Sequence, residues 1–259
     1  MYRIECSAIS YIGLVRSKNE DNYYINGKYK TDIAIDTEGY IDNAPRHAYL
    51  YAVCDGMGGE KFGELASLLA VKSLANFQET DIRQTLKEYI HTANDLICKE
   101  IIKNNGVRIG TTLALLYICE GYALSCNIGD SRVYLLRNED LYLMTEDHTE
   151  AQRLVEMGML NQDDVSNHKS RNKLTQHLGI FPDEMVIEPF AANPLMVEDN
   201  DMFLLCSDGL TDMLEDKAIE EIMRQNSTPQ DITEKLITTA MQNGGKDNVT
   251  VIVVTAKIK

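Results

Sequence analysis

Four short apolar runs that adjoin an aspartate constrain this chain more than any other feature. They are residues 49–54 before Asp55, residues 122–128 before Gly129-Asp130, residues 202–207 before Asp208, and residues 248–255 after Asp247. Runs of this length, rich in β-branched and aromatic residues, are typical of buried strands. A carboxylate at a buried strand end is costly to desolvate unless a cation compensates it. The pattern therefore predicts strand ends that converge on a divalent-metal site.

The composition is that of an ordinary soluble globular protein, with 44% hydrophobic and 25% charged residues. A length of 259 residues fits one large domain or two small ones, and because no repeat or linker is evident we expect a single domain over residues 1–259. The net charge of -15 disfavours nucleic acid and anionic membrane surfaces as partners and is compatible with binding cations.

No targeting signal is visible in the sequence. No run approaches the roughly 20 apolar residues of a membrane span, and the first residues lack the basic start and apolar stretch of a signal peptide. The six cysteines show no CxxC spacing, which indicates free thiols in a reducing compartment. We therefore expect a cytoplasmic protein with no membrane partner.

The order of the remaining elements favours antiparallel sheets over β-α-β winding. Strand-like runs separated by short turns follow one another at residues 111–119, 122–128, 132–136 and 141–144. Other strands are expected at 7–15, 49–53, 202–206 and 248–255, and helices near 62–74, from Thr80-Asp81 to 104, and at 148–158, 216–225 and 228–243. The polar residues 26–46 predict a loop or hairpin insertion. Strand clusters interrupted by helix pairs indicate an α+β domain.

Binding of hard divalent cations would explain why aspartates lie at these strand ends. Mg²⁺ and Mn²⁺ prefer oxygen ligands and keep several waters, so few protein ligands are needed, and one carboxylate can bridge two ions about 3.5–4 Å apart. Asp55 suits the bridge, and the Gly56 carbonyl can join it because glycine permits a close backbone approach. Asp208 and Asp247 would complete the ligand set of the first ion. Water activated between two such ions can attack a phosphorus atom in line.

An arginine is the natural partner for a phosphate, because its planar fork matches the phosphate oxygens. Arg16 precedes Glu20 and Asp21 by four and five residues. The two acids can therefore hold metal-bound waters while Arg16 faces the phosphate.

Six short motifs occur in order along the chain. They are Gly13-x-x-Arg16-x-x-Asn19-Glu20-Asp21, Asp55-Gly56-Met57-Gly58-Gly59, Gly110-Thr111-Thr112, Ile128-Gly129-Asp130-Ser131-Arg132, Ser207-Asp208-Gly209-Leu210-Thr211-Asp212 and Asp247-Asn248-Val249-Thr250. Each motif alone is weak. Together they span essentially the whole chain, which resembles the metal-dependent protein serine/threonine phosphatases of type 2C in their bacterial single-domain form.

The resemblance implies a four-layer α-β-β-α sandwich of two antiparallel sheets flanked by helices, with a metal cleft at one end and a mobile flap at residues 145–185. It also implies the functional residues: two Mn²⁺ or Mg²⁺ ions bound by Asp55, the Gly56 carbonyl, Asp208 and Asp247, a third ion bound by Asp130 with Asp208, metal contacts through water by Glu20 and Asp21, and phosphate binding by Arg16. Arg16, Asp55 and Asp208 are the expected catalytic residues.

Two departures from the family pattern bear on the chemistry. Many eukaryotic relatives have a histidine, the proposed general acid, where this chain has Met57, and methionine has no proton to donate. Bacterial relatives commonly share the methionine, and a metal-bound water is the expected proton source. The insertion at 26–46 is longer than in the most compact relatives and could shape the rim of the cleft.

Structural roles compete with some of these assignments. Strand-end aspartates are common turn residues, and Asp130 could be satisfied by Ser131 and Arg132. Glu20 and Asp21 could be ordinary solvated charges, and Arg16 could be a surface cation or a structural partner for Glu20.

Other polar residues have weaker context. Asp212 could cap the following helix or contact the metal shell, and Asn248 could orient Asp247 or simply begin the strand. His148 is expected to make a structural hydrogen bond. His168 and His177 lie in the flap and could reach the cleft. His47 and His91 are not accompanied by other candidate site residues.

The expected activity is hydrolysis of phosphoserine and phosphothreonine on proteins by direct water attack. It implies phosphorylated protein substrates and a serine/threonine kinase that acts on the same targets. Two rivals share the fold: a non-catalytic phosphoprotein-binding module that has lost a metal aspartate, and a hydrolase of phosphotyrosine, phosphoarginine or a nucleotide. None of the metal aspartates is missing. A monomer is expected, because no interface signal is visible.

Overall fold

Several strands are buried on both faces, which explains why their sequences are apolar almost without interruption. Side chains alternate across a strand. Along residues 48–54, successive side chains enter two different cores: Tyr49, Tyr51 and Val53 enter one, and Leu50, Ala52 and Cys54 enter the other. The chain can therefore add a layer to each side of a sheet.

The structure, a computed structural model, describes residues 2–32, 34–35, 37–58, 62–77, 82–225 and 227–258. Its strands are β1 (Tyr2–Tyr11), β2 (Asn22–Ile25), β3 (Lys28–Tyr29), β4 (Thr37–Asp42), β5 (Ala48–Cys54), β6 (Gly56–Met57), β7 (Gly110–Thr111), β8 (Leu113–Cys119), β9 (Tyr122–Ile128), β10 (Arg132–Arg137), β11 (Asp140–Leu143), β12 (Phe190–Ala191), β13 (Leu195–Met196), β14 (Met202–Cys206) and β15 (Val249–Ile258). Its helices are α1 (Gly63–Ser73), α2 (Ile82–Lys103), α3 (Glu150–Glu156), α4 (Asp208–Thr211), α5 (Asp216–Met223) and α6 (Pro229–Gln242), with short 3-10 helices at Leu74–Asn76 and Gln162–Asn167.

Two antiparallel sheets contain most of the strands. The first sheet has the order β11-β10-β14-β15-β1-β4, and the second has the order β12-β9-β8-β5-β2-β3 with β13 also beside β9. A separate two-stranded ladder joins β6 to β7. The predicted antiparallel pairing is confirmed.

The sheets pack face to face around a central core to which both contribute, through residues such as Ile4, Val53, Leu116, Leu205 and Ile252. Helices α1 and α2 cover the outer face of the second sheet, and α4, α5 and α6 cover that of the first. The predicted α+β fold, a four-layer α-β-β-α sandwich, is confirmed.

The first predicted strand, residues 7–15, is wrong at both ends. Strand β1 runs from Tyr2 to Tyr11, because it pairs along its whole length with β15, from Tyr2 opposite Ile258 to Tyr11 opposite Val249. The apolar residues beyond it leave the sheet, and Leu14 and Val15 are 60% and 69% exposed. Their apolarity indicated a strand that tertiary pairing does not support.

The insertion at residues 26–46 is more structured than a loop. Strand β3 forms a hairpin with β2 at the edge of the second sheet, and β4 joins the first sheet beside β1. The segment therefore crosses from one sheet to the other, and the hairpin alternative was the correct one for its first part.

The helices are close to the predicted ones but shorter. Helix α3 covers Glu150–Glu156 rather than 148–158, and α5 covers Asp216–Met223 rather than 216–225. Helix α6 begins at Pro229 after a capping box in which Thr228 and Asp231 satisfy each other's backbone N–H groups. The predicted cap of the second helix at Thr80 or Asp81 lies outside the described residues.

Two sequence expectations concern the chemistry of the whole chain. All six cysteines are free, as predicted. In the part of the chain that the structure describes, no helix is both long enough and apolar enough to cross a bilayer.

The central core should carry much of the stability. Leu205 is fully buried between the sheets, so Leu205→Ala should lower the free energy of unfolding by roughly 2–5 kcal/mol through lost burial and a residual cavity. Leu143 lies on edge strand β11 and is 44% exposed, so Leu143→Ala should change it by less than about 0.5 kcal/mol. Urea unfolding of both variants measures the difference. Equal losses would contradict this assignment of the core.

Candidate metal centre

The four strand-end aspartates lie at one end of the sandwich. Asp55 follows β5 and Asp130 follows β9 in the second sheet, whereas Asp208 follows β14 and Asp247 precedes β15 in the first. Their charges act on one another: Asp130 and Asp208 raise the pKa of Asp55, and Asp247 raises that of Asp208. The predicted convergence of these side chains is present in the structure.

Burial and mutual repulsion disturb the acidity of this group. Burial, followed by the charges of Asp21 and Asp208, raises the pKa of Asp55 well above its usual range. Burial also raises the pKa of Asp208 to about 7, against a hydrogen bond with Asp55 that lowers it. The carboxyl groups of Asp55 and Asp208 are thus close enough to share a proton. A divalent cation could take the place of that proton between them.

Asp21 is the most deeply buried acid of the centre. It is 0% exposed, and its Oδ2 accepts a hydrogen bond of 2.7 Å from the Ser207 hydroxyl. Burial raises the pKa of Asp21 to about 6 despite this bond. Its Oδ1 and the Oδ1 of Asp208 are buried and have no hydrogen-bond partner among the described residues. Such orphaned oxygens are costly unless a cation or an ordered water satisfies them.

The donor set fits hard cations that retain water. Among the described residues, no group of three or more histidine, cysteine, aspartate or glutamate side chains is arranged so that it could by itself hold a metal ion. Mg²⁺ characteristically binds through one or two carboxylates and keeps several waters, so such a group is not required. Carboxylate oxygens with unsatisfied lone pairs, joined by a backbone carbonyl, match that requirement.

Gly56 is needed for a close approach of three backbone segments. A Cβ atom added to Gly56 would lie 2.3 Å from the Gly63 carbonyl oxygen and 2.5 Å from that of Glu20. A larger residue would therefore displace either the start of α1 or the loop that carries Arg16. The sequence predicted a glycine here because the Gly56 carbonyl must approach a metal ion. The structure shows a second reason, since the backbone of Gly56 packs against those of Gly63 and Glu20.

Arg16 lies at the edge of the centre and is half exposed. Its guanidinium donates to Oδ2 of Asp247 at 2.5 Å, and the charges of Glu20 and Asp55 also act on it. Arginine has five N–H donors, so the contact with Asp247 leaves donors for a phosphate. Arg16 pairs with Asp247 rather than with Glu20, the partner considered for a purely structural role.

Asn248 holds the loop that carries these residues. Its side-chain oxygen accepts from the Glu20 N–H, and its amide nitrogen donates to the carbonyls of Ile12 and Lys18, each at 2.8 Å. Its own N–H donates to Oδ1 of Asp247. The side-chain amide therefore holds the loop rather than Asp247, which accepts from the backbone N–H of Asn248 instead, and β15 begins one residue later, at Val249. The role found for this side chain is one that the sequence did not reveal.

Glu20 lies at the N-terminus of α1. Its carboxylate accepts from the Gly63 N–H, and its pKa is raised by burial and by the neighbouring Glu64. Its backbone carbonyl accepts from the Ser67 hydroxyl at 2.6 Å. The structure thus gives Glu20 a capping contact in addition to its place beside Arg16.

Asp130 is not satisfied by its neighbours in sequence. Arg132 instead binds Asp147 through Nε and Nη2, at 2.9 and 2.6 Å, and the Ser131 hydroxyl bonds to that of Thr112 at 2.7 Å. Burial and the charge of Asp208 raise the pKa of Asp130 well above its usual range. The charge of Arg132 acts against this rise, so Arg132 contributes to Asp130 by its charge but not by a hydrogen bond among those of the described residues.

His148 makes the structural hydrogen bond that the sequence predicted. The imidazole Nδ1 of His148 accepts from the backbone N–H of Gly129 at 3.0 Å. The backbone N–H of His148 donates to the Gly129 carbonyl at 2.9 Å. The turn before Asp130 is therefore fixed to the start of the flap.

Asp212 connects the centre to the flap. Its carboxylate accepts from the Asn172 amide at 2.8 Å and pairs with Arg171 at 3.2 Å. These residues line a cavity of about 610 Å³ together with Asp130 and Asp208. The predicted capping role of Asp212 is wrong, because the N-cap residue of α5 is Glu215.

Lys30 is a charged residue of the centre that sequence reasoning missed. It is 1% exposed, and its Nζ donates to the Asn19 carbonyl at 3.1 Å, beside Glu20 and Asp21. Its charge partly offsets the rise in the pKa of Asp21 that burial causes. It belongs to the polar segment read as an insertion, and no local pattern showed that it would be buried.

A larger cavity, of about 740 Å³, lies between the β10–β11 turn and the residues just before α6. Two of its charged residues, Arg137 and Asp201, form a two-fold hydrogen-bonded pair, with distances of 2.8 and 2.6 Å. It contains none of the residues of the centre, and size alone does not make it the functional cleft.

Comparison with known proteins agrees with the fold. The family model described as "Protein phosphatase 2C" matches residues 16–249. The serine/threonine phosphatase stp of Listeria monocytogenes is 33% identical over 253 residues, covering 93% of this chain and 92% of its own length. The protein phosphatase PhpP of Streptococcus pneumoniae is 32% identical over 259 residues, covering 97% of each chain.

Solved structures show the same architecture. The crystal structure of the Mycobacterium tuberculosis serine/threonine phosphatase PstP/Ppp aligns with a TM-score of 0.82 at 29% identity, covering 99% of this chain and 100% of that one. The catalytic domain of PstP in complex with two manganese ions aligns with a TM-score of 0.80 at 28% identity, covering 100% of both chains. The chain therefore belongs to the protein phosphatase 2C family, whose members are metal-dependent enzymes.

Removal of the Asn248 side chain should loosen the loop that carries Arg16. Asn248→Ala leaves three backbone groups without partners, so we expect a loss of roughly 1–3 kcal/mol in stability and a larger rise in KM than fall in kcat for a phosphopeptide. Asn243→Ala is the matched control, because that exposed side chain donates to the Met213 carbonyl rather than to the loop that carries Arg16. Identical kinetics in the two variants would contradict the role of Asn248.

The raised acid pKa values predict how the metal-free protein responds to pH. The pKa of an unfolded aspartate is about 3.9, whereas burial raises the pKa of folded Asp208 to about 7, so folding favours the neutral form of its carboxyl group. Its contribution to stability is complete below about pH 4 and is lost as the pH rises through 7. In a chelator, Asp208→Asn should therefore gain stability relative to the wild type over this window, as measured by urea unfolding. A difference that is flat with pH would show that Asp208 does not titrate in this way.

Proposed function

We propose that this chain is a serine/threonine protein phosphatase that uses two Mn²⁺ or Mg²⁺ ions. The observation that carries the proposal is the cluster of buried carboxylates from both sheets, with orphaned oxygens at Asp21 and Asp208, beside a half-exposed arginine. Metal-dependent hydrolysis is the chemistry that requires such a cluster. The similarity to bacterial serine/threonine phosphatases supports the choice of substrate.

Each residue of the centre has a proposed role. Asp55, the Gly56 carbonyl, Asp208 and Asp247 would hold the two ions, Asp130 with Asp208 would hold a third, and Glu20 and Asp21 would act through water. When bound, such ions supply Lewis-acid stabilisation of the phosphoryl oxygens and an activated water. Residues 1–259 act as one catalytic domain, with residues 145–185 as the flap.

Arg16 supplies the phosphate contact in this proposal. Its fork can bind two phosphate oxygens, and pairing with Asp247 holds it at the edge of the centre before substrate arrives. Met57 has no proton to donate, so water is the proposed source of the proton for the leaving hydroxyl.

The proposed substrates are phosphorylated proteins, and a serine/threonine kinase would act on the same targets. The acidic net charge of -15 argues against a nucleic-acid partner. We propose a monomer in the cytoplasm.

A phosphatase assay tests the function. The wild type should release phosphate from a phosphothreonine peptide in Mn²⁺ and lose this activity in EDTA. Asp208→Ala should lower kcat by about 100-fold or more, because it removes the carboxylate shared by the proposed ion sites. Asp95→Ala is the control, since Asp95 is an exposed aspartate on α2 and should keep full activity.

The outcome also separates related functions. Full activity of folded Asp208→Ala would overturn the metal-centre proposal. The wild type could instead hydrolyse a phosphotyrosine peptide, a phosphoarginine peptide or a nucleotide faster than phosphoserine and phosphothreonine peptides. If this hydrolysis depends on metal, the result would support the metal-centre proposal and overturn the proposed substrate class.

A further inference from the structure

A second, mostly apolar pocket lies next to the metal centre. Strand β6 places Met57 directly after Gly56 and opposite Gly110 of β7. Strand β7 in turn pairs with the end of the flap, where Thr111 and Leu178 exchange backbone hydrogen bonds of 3.0 and 2.9 Å. A continuous backbone ladder therefore joins the metal centre, the pocket and the flap.

The pocket has a volume of about 350 Å³ and a mixed lining. Its apolar walls are Met57, Ile109 and Ile180, one further wall is the imidazole of His177, and Arg108 and Glu184 stand at its exposed edge. Among the described residues, the glycines that complete the lining, Gly58, Gly110 and Gly179, add no side chain to this space. A cavity of this size and character is suited to an apolar group.

The imidazole of His177 has a defined position and charge. Its Nδ1 lies 2.9 Å from the Leu178 carbonyl oxygen, which can only accept, so the ring carries its proton on Nδ1. Burial lowers the pKa of His177, and the ring is therefore neutral at pH 7. None of the described residues hydrogen-bonds to Nε2, which remains an acceptor for a peptide N–H.

Gly110 makes room for this ring. A Cβ atom at Gly110 would lie 2.5 Å from Nδ1 of His177 and 2.7 Å from the Leu178 carbonyl oxygen. The wall formed by His177 therefore depends on the glycine of β7, which is also the residue opposite Met57.

The charges at the edge of the pocket cancel. The guanidinium of Arg108 donates to both carboxylate oxygens of Glu184, with an Nη1–Oε2 distance of 2.9 Å. The same guanidinium stacks over the Phe181 ring at 5.0 Å. With its charge occupied in this way, the edge does not favour a charged group, and the apolar walls decide what the pocket accepts.

We propose that this pocket is a substrate subsite that takes an uncharged apolar side chain, of about leucine size, near the phosphorylated residue. The inference rests on the proposed function, which places the phosphate at Arg16 and the adjoining aspartates. An extended peptide advances about 3.3–3.6 Å per residue, so a few residues take it from the centre past Met57 into the pocket. His177 and Met57 are then specificity-determining residues.

Peptide kinetics test the subsite. Phosphothreonine peptides of alanine background, each with one leucine at a different neighbouring position, are compared with the all-alanine peptide in Mn²⁺. At one position, leucine should raise kcat/KM about tenfold, which is typical of burying a few methylene groups in an apolar pocket. His177→Asp, which adds a charge, and His177→Trp, which fills the space, should each return this leucine-to-alanine ratio to near one.

The ratio within one variant cancels any general loss of turnover or folding. His168→Ala is the matched control, because His168 is another histidine of the flap and does not line the pocket, so its ratio should remain that of the wild type. No leucine preference in the wild type, or an unchanged preference in both His177 variants, would overturn the subsite alone. A wild type that hydrolyses no phosphopeptide in Mn²⁺ would instead overturn the proposed function, and the subsite with it.

Discussion

The acidic side chains at the strand ends repel one another, and burial adds a desolvation cost to each. Asp55, Asp130 and Asp208 all have pKa values raised by burial and by neighbouring acids, and Asp21 is completely enclosed. Among the described residues, Lys30 is a fully buried cation beside these acids, and its charge offsets only part of the rise in the pKa of Asp21 that burial causes. Divalent cations supply the missing positive charge in the proposed function.

The scaffold keeps these acids together through backbone restraints. Both sheets are buried on both faces, which fixes where β5, β9, β14 and β15 end. Asn248 fastens the loop of Arg16 to the start of β15, and Gly56 lets that loop pack against α1. Local strain and unsatisfied charge are tolerated at such sites because the surrounding structure determines them.

Local patterns in the sequence predicted much of this arrangement. Apolar runs beside aspartates located the acids of the centre, and the Thr228-Pro229 start of α6 followed from capping chemistry. Features that depend on tertiary pairing could not be read in the same way. Strand β1 begins at Tyr2 because of its partner β15, and Leu14 and Val15 are apolar yet exposed. The burial of Lys30 and the three bonds of the Asn248 side chain depend on segments distant in sequence, which no local pattern brings together.

The most direct test of the metal centre is anomalous diffraction at the manganese edge from crystals grown with Mn²⁺. The account predicts two strong peaks about 3.5–4 Å apart, both next to Asp55, with Asp208 and Asp247 beside one of them. Crystals of Asp208→Ala should show weaker or fewer peaks at the same place. Manganese bound elsewhere in the wild type, with none among these aspartates, would contradict the claim that the buried carboxylates exist to hold metal ions.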